Sequence, residues 1–488
     1  MPVMNDSDFI IVGGGNAGCI AALILKCSFP DKNVSIIKSD NIGTVGVGES
    51  STEHFKHFCD TCNIPILDLI LCTKATFKSG VYFKNWSDED FMHVINLDNV
   101  QLPIGHNFPY LLRHVAYNEP NYKMNIFGAW DNRVPLMFFN HMNNSPSNQF
   151  HFDTLALNNF LIEKCIERDI DIIEDELTGA SLHSERGHII SVNGKNTTYK
   201  SKFFIDCSGF SRLLLEKTLG VKWKSYSEYL PLNSAIAFAT DEMDEYNIYT
   251  KSTARDYGWS WQIPTQGRTG NGYVFSEKFI NETQAHEEME KSYGHEIDVA
   301  KTFKFDPGRL EKAWCKNCYA VGLSQSFVEP LEATAIGSVI NQMFAFITHF
   351  PSNNVDECNI VVNNVFENIF DYVQAHYLVK KEDTPFWREV KNDLKITPSL
   401  QKLLDTWKRR FPIAQDIVCK FGMFTELNYI VILQGLKWFD SEKVMKEYKH
   451  LKHIPLIDWE NTGDKCLHMG HKNFIKEIVR IHNLNKEN

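Results

Sequence analysis

Residues 8–27 read DFIIVGGGNAGCIAALILKC. The apolar run DFIIV (8–12) meets three glycines, and these open CIAALILKC, whose alanines and leucines favour a helix. VSIIK (34–38) is a second apolar run of strand length. Strand, glycine turn, helix and strand make the opening of a dinucleotide-binding unit. Gly13, Gly15 and Gly18 fit G-x-G-x-x-G, with Asn16 and Ala17 inside the same cradle. The first glycine permits the tight turn, and the second lets backbone approach a pyrophosphate at the positive end of the helix. The third permits close helix–strand packing. A purely structural glycine turn is the competing reading.

The acidic residue that usually ends the next strand and accepts a ribose hydroxyl is missing. Lys38 stands there, followed by Ser39 and Asp40, so Ser39 or Asp40 takes that role or the ribose is held more weakly. GTVGVGES (43–50) then supplies small residues and a carboxylate, with Gly48 and Glu49 as cofactor-binding candidates. KFFIDCSGF (202–210) places Asp206 and Gly209 at a strand end, as a second nucleotide-facing turn.

Composition narrows the class. A chain of 488 residues predicts two or three subdomains. A net charge of −11 argues against a nucleic-acid partner, which needs a basic face. No apolar run reaches the roughly 18 residues of a membrane span. The start MPVMNDSDFIIVGGG has neither a basic segment nor a long apolar one, so we expect no signal peptide and a cytoplasmic protein. Twelve cysteines in so long a chain do not make a disulfide framework. The pairs Cys59/Cys62 and Cys315/Cys318 have C-x-x-C spacing, but only the first has histidines nearby (His54 and His57), and packing is the preferred reading over zinc. No metal is expected.

Along the chain, residues 90–150 read as a loop-rich insert. Residues 155–175 read as helix then strand, 228–280 as mostly β, and the chain from about 338 onward as helical. The glycines of GRTGNG (267–272) read as a turn. DYGWSWQIPTQ (256–266) alternates, so Trp259 and Trp261 share one strand face, with Pro264 ending the strand. An aromatic core stripe is the plain explanation.

Taken in order, GGGNAG, GVGES, FKSGVYFKNW, FIDCSGF, WSWQIP, FDPGRL and FVEPLEAT resemble the flavin-dependent halogenases of the tryptophan-halogenase type, over residues 8 to about 340. The resemblance implies an α/β fold: an FAD-binding, Rossmann-like core of the GR2-type flavin monooxygenase kind. It spans residues 1–340 with the insert at 90–150, and a mainly helical part, 341–488, packs on it. It implies FADH2 from a separate NAD(P)H-dependent flavin reductase, O2 and halide as co-reactants, and hypohalous acid as the halogen carrier. The small aromatic substrate is an indole, tryptophan or a phenol. Lys78 and Glu332 match the catalytic pair. The lysine activates the electrophile, and the glutamate orients it and accepts the ring proton. Glu329, its companion, is read as structural. Thr334 and Ala335 match the halide site, at a helix start expected near 337. Ala333 stands where the family often has Ser, and Ala335 where it usually has Gly. Leu323 and Ile336 match flavin-contacting positions. Trp259, Trp261, Ile263 and Pro264 match the barrier beside the tunnel from flavin to substrate, where rigid indoles hold back a bulky substrate but pass a small acid. Trp86, His93, His106, Phe108 and Tyr110 are candidates for an aromatic substrate wall, with packed core as the alternative. Homo-oligomerisation is left open.

Three rivals remain at this stage. An FAD-dependent aromatic monooxygenase (a hydroxylase) explains the glycines but not WSWQIP with Lys78 and Glu332. A flavin-binding redox sensor would suit the C-x-x-C pairs. An NAD(P)H oxidoreductase lacks a second full glycine motif after a strand.

Overall fold

The computed structural model describes residues 3–42, 48–94, 115–117, 132–135, 149–453 and 468–487. Most of the 90–150 insert, with His106, Phe108 and Tyr110, and the stretch 43–47 lie outside the described residues.

The first sheet has eight strands and a parallel centre. Val3–Val12 lies between Thr198–Asp206 and Val34–Lys38, parallel to both, with Ile11 opposite Ile205 and Ile36. Asp171–Glu174 extends one side, and Cys318–Ala320 pairs parallel to Thr198–Asp206. The middle strands are covered on both faces, which is why they read as continuous apolar runs. The helix Asn16–Ser28 lies on one face with Ile20, Leu23 and Ile24 fully buried, beside the helices Thr154–Ile166 and Thr334–His349. Parallel strands end at one edge. There Gly13 N donates to Ile37 O, Cys207 N to Val12 O and Val321 N to Asp206 O, so Gly13, Cys207 and Val321 line up where ligands bind in such sheets.

The second sheet has seven strands, in the order Val299–Lys304, Ser234–Thr240, Arg268–Phe275, Gly258–Thr265, Tyr249–Arg255, Gly80–Lys84 and Phe91–Val94. It corrects one reading. GRTGNG is a turn only at Gly267, and from Arg268 onward it is strand. The glycines there serve packing, since a Cβ on Gly272 would sit 2.1 Å from the Trp261 ring.

A small third sheet holds the lysine. Gln149–Phe152 runs antiparallel between Glu49–Ser50 and Thr76–Lys78, pairing Thr76 with His151, Phe77 with Phe150 and Lys78 with Gln149. Its apolar face is covered by the last helix, His471–Glu487, whose Phe474 meets Phe77 at 5.7 Å. His471 also accepts from the Phe77 N–H at 2.9 Å. The C-terminal part is helical from Thr334, and that first helix crosses residue 340 while packing on the helix Asn16–Ser28. Among the described residues, no helix is long and apolar enough to cross a membrane. Nor is any group of three or more His, Cys, Asp or Glu side chains placed to hold a metal ion.

Candidate active site

The glycine cradle has the expected geometry. Gly13 has φ +116°, and a Cβ there would lie 2.2 Å from Cys207 O. One on Gly18 would lie 1.9 Å from Gly13 O, so side chains are excluded at both. A Cβ on Gly15 would meet nothing within 4 Å, which leaves the helix start open. Among the described residues, no side chain caps that helix, and Asn16 Oδ1 is buried without a partner. Asn16 Nδ2 donates to Glu49 at 3.1 Å, tying the cradle to GVGES, and burial pushes Glu49 up to about 7. The turn carrying Leu323 lies against Ala17, 3.1 Å from where a Gly322 Cβ would stand. Ser39 Oγ accepts from Asn41 N, and Lys38 pairs with Asp40 and Glu174. Asp206 is fully buried, and its carboxylate accepts from Ser208 N and Oγ, Leu214 N and Leu215 N. These bonds hold the turn that carries Gly209 at the end of this strand.

Lys78 is completely buried and donates to Ser51 O at 3.0 Å. Burial pulls its ammonium down to about 8, against the opposing pull of Glu332 and Glu53. Because strand side chains alternate, Thr76, Lys78, His151 and Gln149 share one face. His151 is held well below its ordinary range by burial, the Lys78 charge and His471, so the face is polar but neutral apart from the lysine. Thr76 Oγ1 donates to Pro264 O at 2.8 Å, joining the lysine strand to WSWQIP. Gly48 approaches Ile263 in the same strand, 3.6 Å from a Cβ built there.

Glu332 sits on a strained turn. Glu332 (φ 64°) and Ala333 (φ 58°) are successive non-glycine residues in the left-handed region, costing about 1–2 kcal/mol each. The turn sends the Glu332 carboxylate, 2 % exposed, onto His93 Nδ1 at 2.9 Å and His376 Nε2 at 3.1 Å. Burial raises this acid, but the two histidines prevail and hold it well below the usual carboxylate range. Tyr372 O–H and Asn428 Nδ2 contact the His93 ring in turn. His93 therefore serves the glutamate rather than an aromatic wall. The same turn starts the helix at Thr334, three residues earlier than read, with no side-chain cap; Thr334 is buried and Ala335 exposed. Ile336 is buried in the core.

Trp259 and Trp261 do share a face, with ring centroids 6.1 Å apart. Trp259 Nε1 donates to Glu329 at 2.8 Å, and Tyr377 O–H donates to the same carboxylate at 2.6 Å. Burial pushes Glu329 up to about 7 against those two donors. Trp86 packs between Trp259, Tyr377 and Trp387, fully buried, its indole N–H without an acceptor among the described residues. Glu329→Ala would orphan two buried donors. It is expected to lower unfolding free energy by roughly 2–4 kcal/mol, read from the urea midpoint.

Sequence reasoning did not find His376, Tyr372, Tyr377, Asn428, His471, Gln149 or Glu53, whose Oε2 is buried near Lys78 without a partner among the described residues. A signal existed only for Tyr372, His376 and Tyr377, which end one long helix, Val355–Ala375, or follow it directly.

The family model for tryptophan halogenase matches residues 8–450. Tryptophan 6-halogenase ThaL of Streptomyces albogriseolus is 30 % identical, over 83 % of this chain and 82 % of that one. The crystal structure of tryptophan 6-halogenase SttH from Streptomyces toxytricini superposes with a TM-score of 0.82 at 26 % identity, over 97 % of this chain and 100 % of that one. Tar14, a tryptophan C-6 flavin-dependent halogenase from taromycin biosynthesis, superposes at 0.83 with 25 % identity, over 97 % and 100 %. With one motif set running through an FAD-type sheet, a buried lysine and a histidine-clamped glutamate, the chain belongs to the tryptophan halogenase family of flavin-dependent halogenases.

Proposed function

We propose that this enzyme halogenates an electron-rich aromatic ring of the indole or phenol class, with Lys78 and Glu332 as its catalytic residues. The observation that carries this reading is the burial of both groups on two motifs that WSWQIP ties together, through Thr76–Pro264 on one side and Trp259–Glu329 on the other. FAD fits the cradle, where, among the described residues, Gly15 is open, Asn16 Oδ1 is unpartnered and the helix start is uncapped. The residues that would hold it are Gly13, Gly15, Asn16, Ala17 and Gly18, with Ser39, Gly48, Glu49, Leu323 and Ile336 further along. Reduced FAD from a separate reductase would supply, with O2, the oxidising power that turns halide into hypohalous acid.

The chain's own residues do the rest. The uncapped helix start at Thr334 and Ala335 suits a halide ion. Lys78 hydrogen-bonds the oxygen of hypohalous acid. The ring carbon attacks the halogen, the oxygen–halogen bond breaks with its electron pair on oxygen, and that oxygen takes a proton from Lys78 and leaves as water. Glu332 takes the proton from the substituted carbon and returns it through solvent to Lys78, so hypohalous acid and arene become haloarene and water. An acidic carboxylate suffices, because a protonated arene is a far stronger acid. Trp259 and Trp261 hold the ring on the lysine side.

The test is product mass from tryptophan, indoles and phenols, each with reductase, NADH, FAD, O2 and one halide. Halogen mass in any product supports the reading, and oxygen mass alone overturns it. Ala335→Gly removes a methyl at the helix start. It is expected to change the ratio of chloride to bromide turnover by at least about threefold, less than the roughly tenfold one methylene decides in a closely fitted pocket. Identical halide profiles would refute a halide role for this residue.

A further inference from the structure

Gln149 is the direct cross-strand partner of Lys78, so its side chain stands on the lysine's face of the small sheet. It is fully buried, and both Nε2 and Oε1 lack any hydrogen-bond partner among the described residues. Such an amide is costly, about 1–3 kcal/mol for each unsatisfied group, and fold stability gives no reason to keep it there. Its neighbours are already engaged: Lys78 with Ser51 O, His151 with Thr250 and Thr76, and Thr76 with Pro264 O. The amide is therefore the one free donor–acceptor pair among the described residues of that face.

We propose that Gln149 is a positioning residue for the halogen carrier, its Oε1 accepting the O–H of hypohalous acid while Lys78 donates to the same oxygen. Two hydrogen bonds fix that oxygen and leave the halogen pointing at the ring. A carboxylate would take up the lysine proton, whereas an amide accepts without ionising. No bond is made or broken at Gln149. The proposal rests on the halogenase reading above.

The test uses the full-length enzyme with reductase, NADH, FAD and bromide, comparing wild type with Gln149→Leu. Three readouts are taken: halogenated product per FADH2 oxidised, bromination of monochlorodimedone added as a trap for escaped hypohalous acid, and KM for the aromatic substrate. Leucine in place of an unpartnered buried amide should leave thermal stability equal or higher. Gln149→Met is the second variant if leucine does not fold. Loss of one positioned hydrogen bond is expected to lower product per FADH2 at least about tenfold, with trap bromination rising and KM unchanged. Unchanged product yield overturns the assignment. So does a raised KM with no extra trap bromination, which would make Gln149 a contact of the aromatic ring. A wild type that halogenates neither substrate nor trap sinks the halogenase reading itself, and the proposal with it.

Discussion

Lys78→Met is expected to abolish halogenated product, by at least about a thousandfold, while making the protein more stable. Both effects come from the same burial. The lysine lies at zero exposure and donates to Ser51 O, and its pKa falls from 10.5 to about 8. Between those two values the unfolded chain holds a proton that the folded chain has released. Stability therefore rises with pH through 8–10.5, and the cost of the buried charge is fully present below 8. That cost is up to about 3 kcal/mol at 1.36 kcal/mol per unit. Methionine fills a similar volume without charge, so its unfolding midpoint at neutral pH should rise. A protein that keeps a destabilising cation inside a small sheet is using it. The wild-type rate should also fall above pH 8, as the ammonium loses the proton it donates. Two of the groups facing it do not share that limb: Glu332 ionises far below it, and His151 stays neutral throughout; Glu53, which burial pushes up, is the third. Stability and pH–rate measurements on the same two proteins check this, and a destabilised, active Lys78→Met would refute it.

Glu332→Gln should lower turnover by about a hundredfold or more, with KM for the aromatic substrate nearly unchanged. Glutamine keeps the shape and can still bond His93 and His376, but it no longer takes a proton. Loss of the ring proton then becomes slow, so deuterium at the substituted carbon should slow the variant and not the wild type. His93→Ala should show a weaker form of the same signature, because it removes one of the two rings that keep the carboxylate ionised and aimed. Equal isotope effects in wild type and variant would remove Glu332 from the proton-transfer step.

How much of this was legible depended on distance along the chain. The strand–glycine–helix opening was readable because its logic is local: Gly13 faces Cys207, and Gly18 faces Gly13. The ordered motifs pointed to the family that the comparisons show. By composition alone Lys78 is one lysine among Lys74 and Lys84, and only its motif singled it out. What holds Glu332 was not readable, since His93 lies 239 residues away and His376 lies 44 away, and no short pattern couples them. GRTGNG misled because glycines in a strand and in a turn look alike until Trp261 is seen lying on Gly272. Gln149 has no sequence signal; its meaning is the register that sets it opposite Lys78.

The most direct test of the central claim is one mass spectrum pair. Wild type and Lys78→Met are given the same aromatic substrate, reductase, NADH, FAD, O2 and bromide, after both are shown to bind FAD equally. The wild-type product is expected to show the paired isotope peaks of bromine, and the variant to return unreacted substrate. An oxygenated product from the wild type, or a brominated product from both in equal yield, would contradict it.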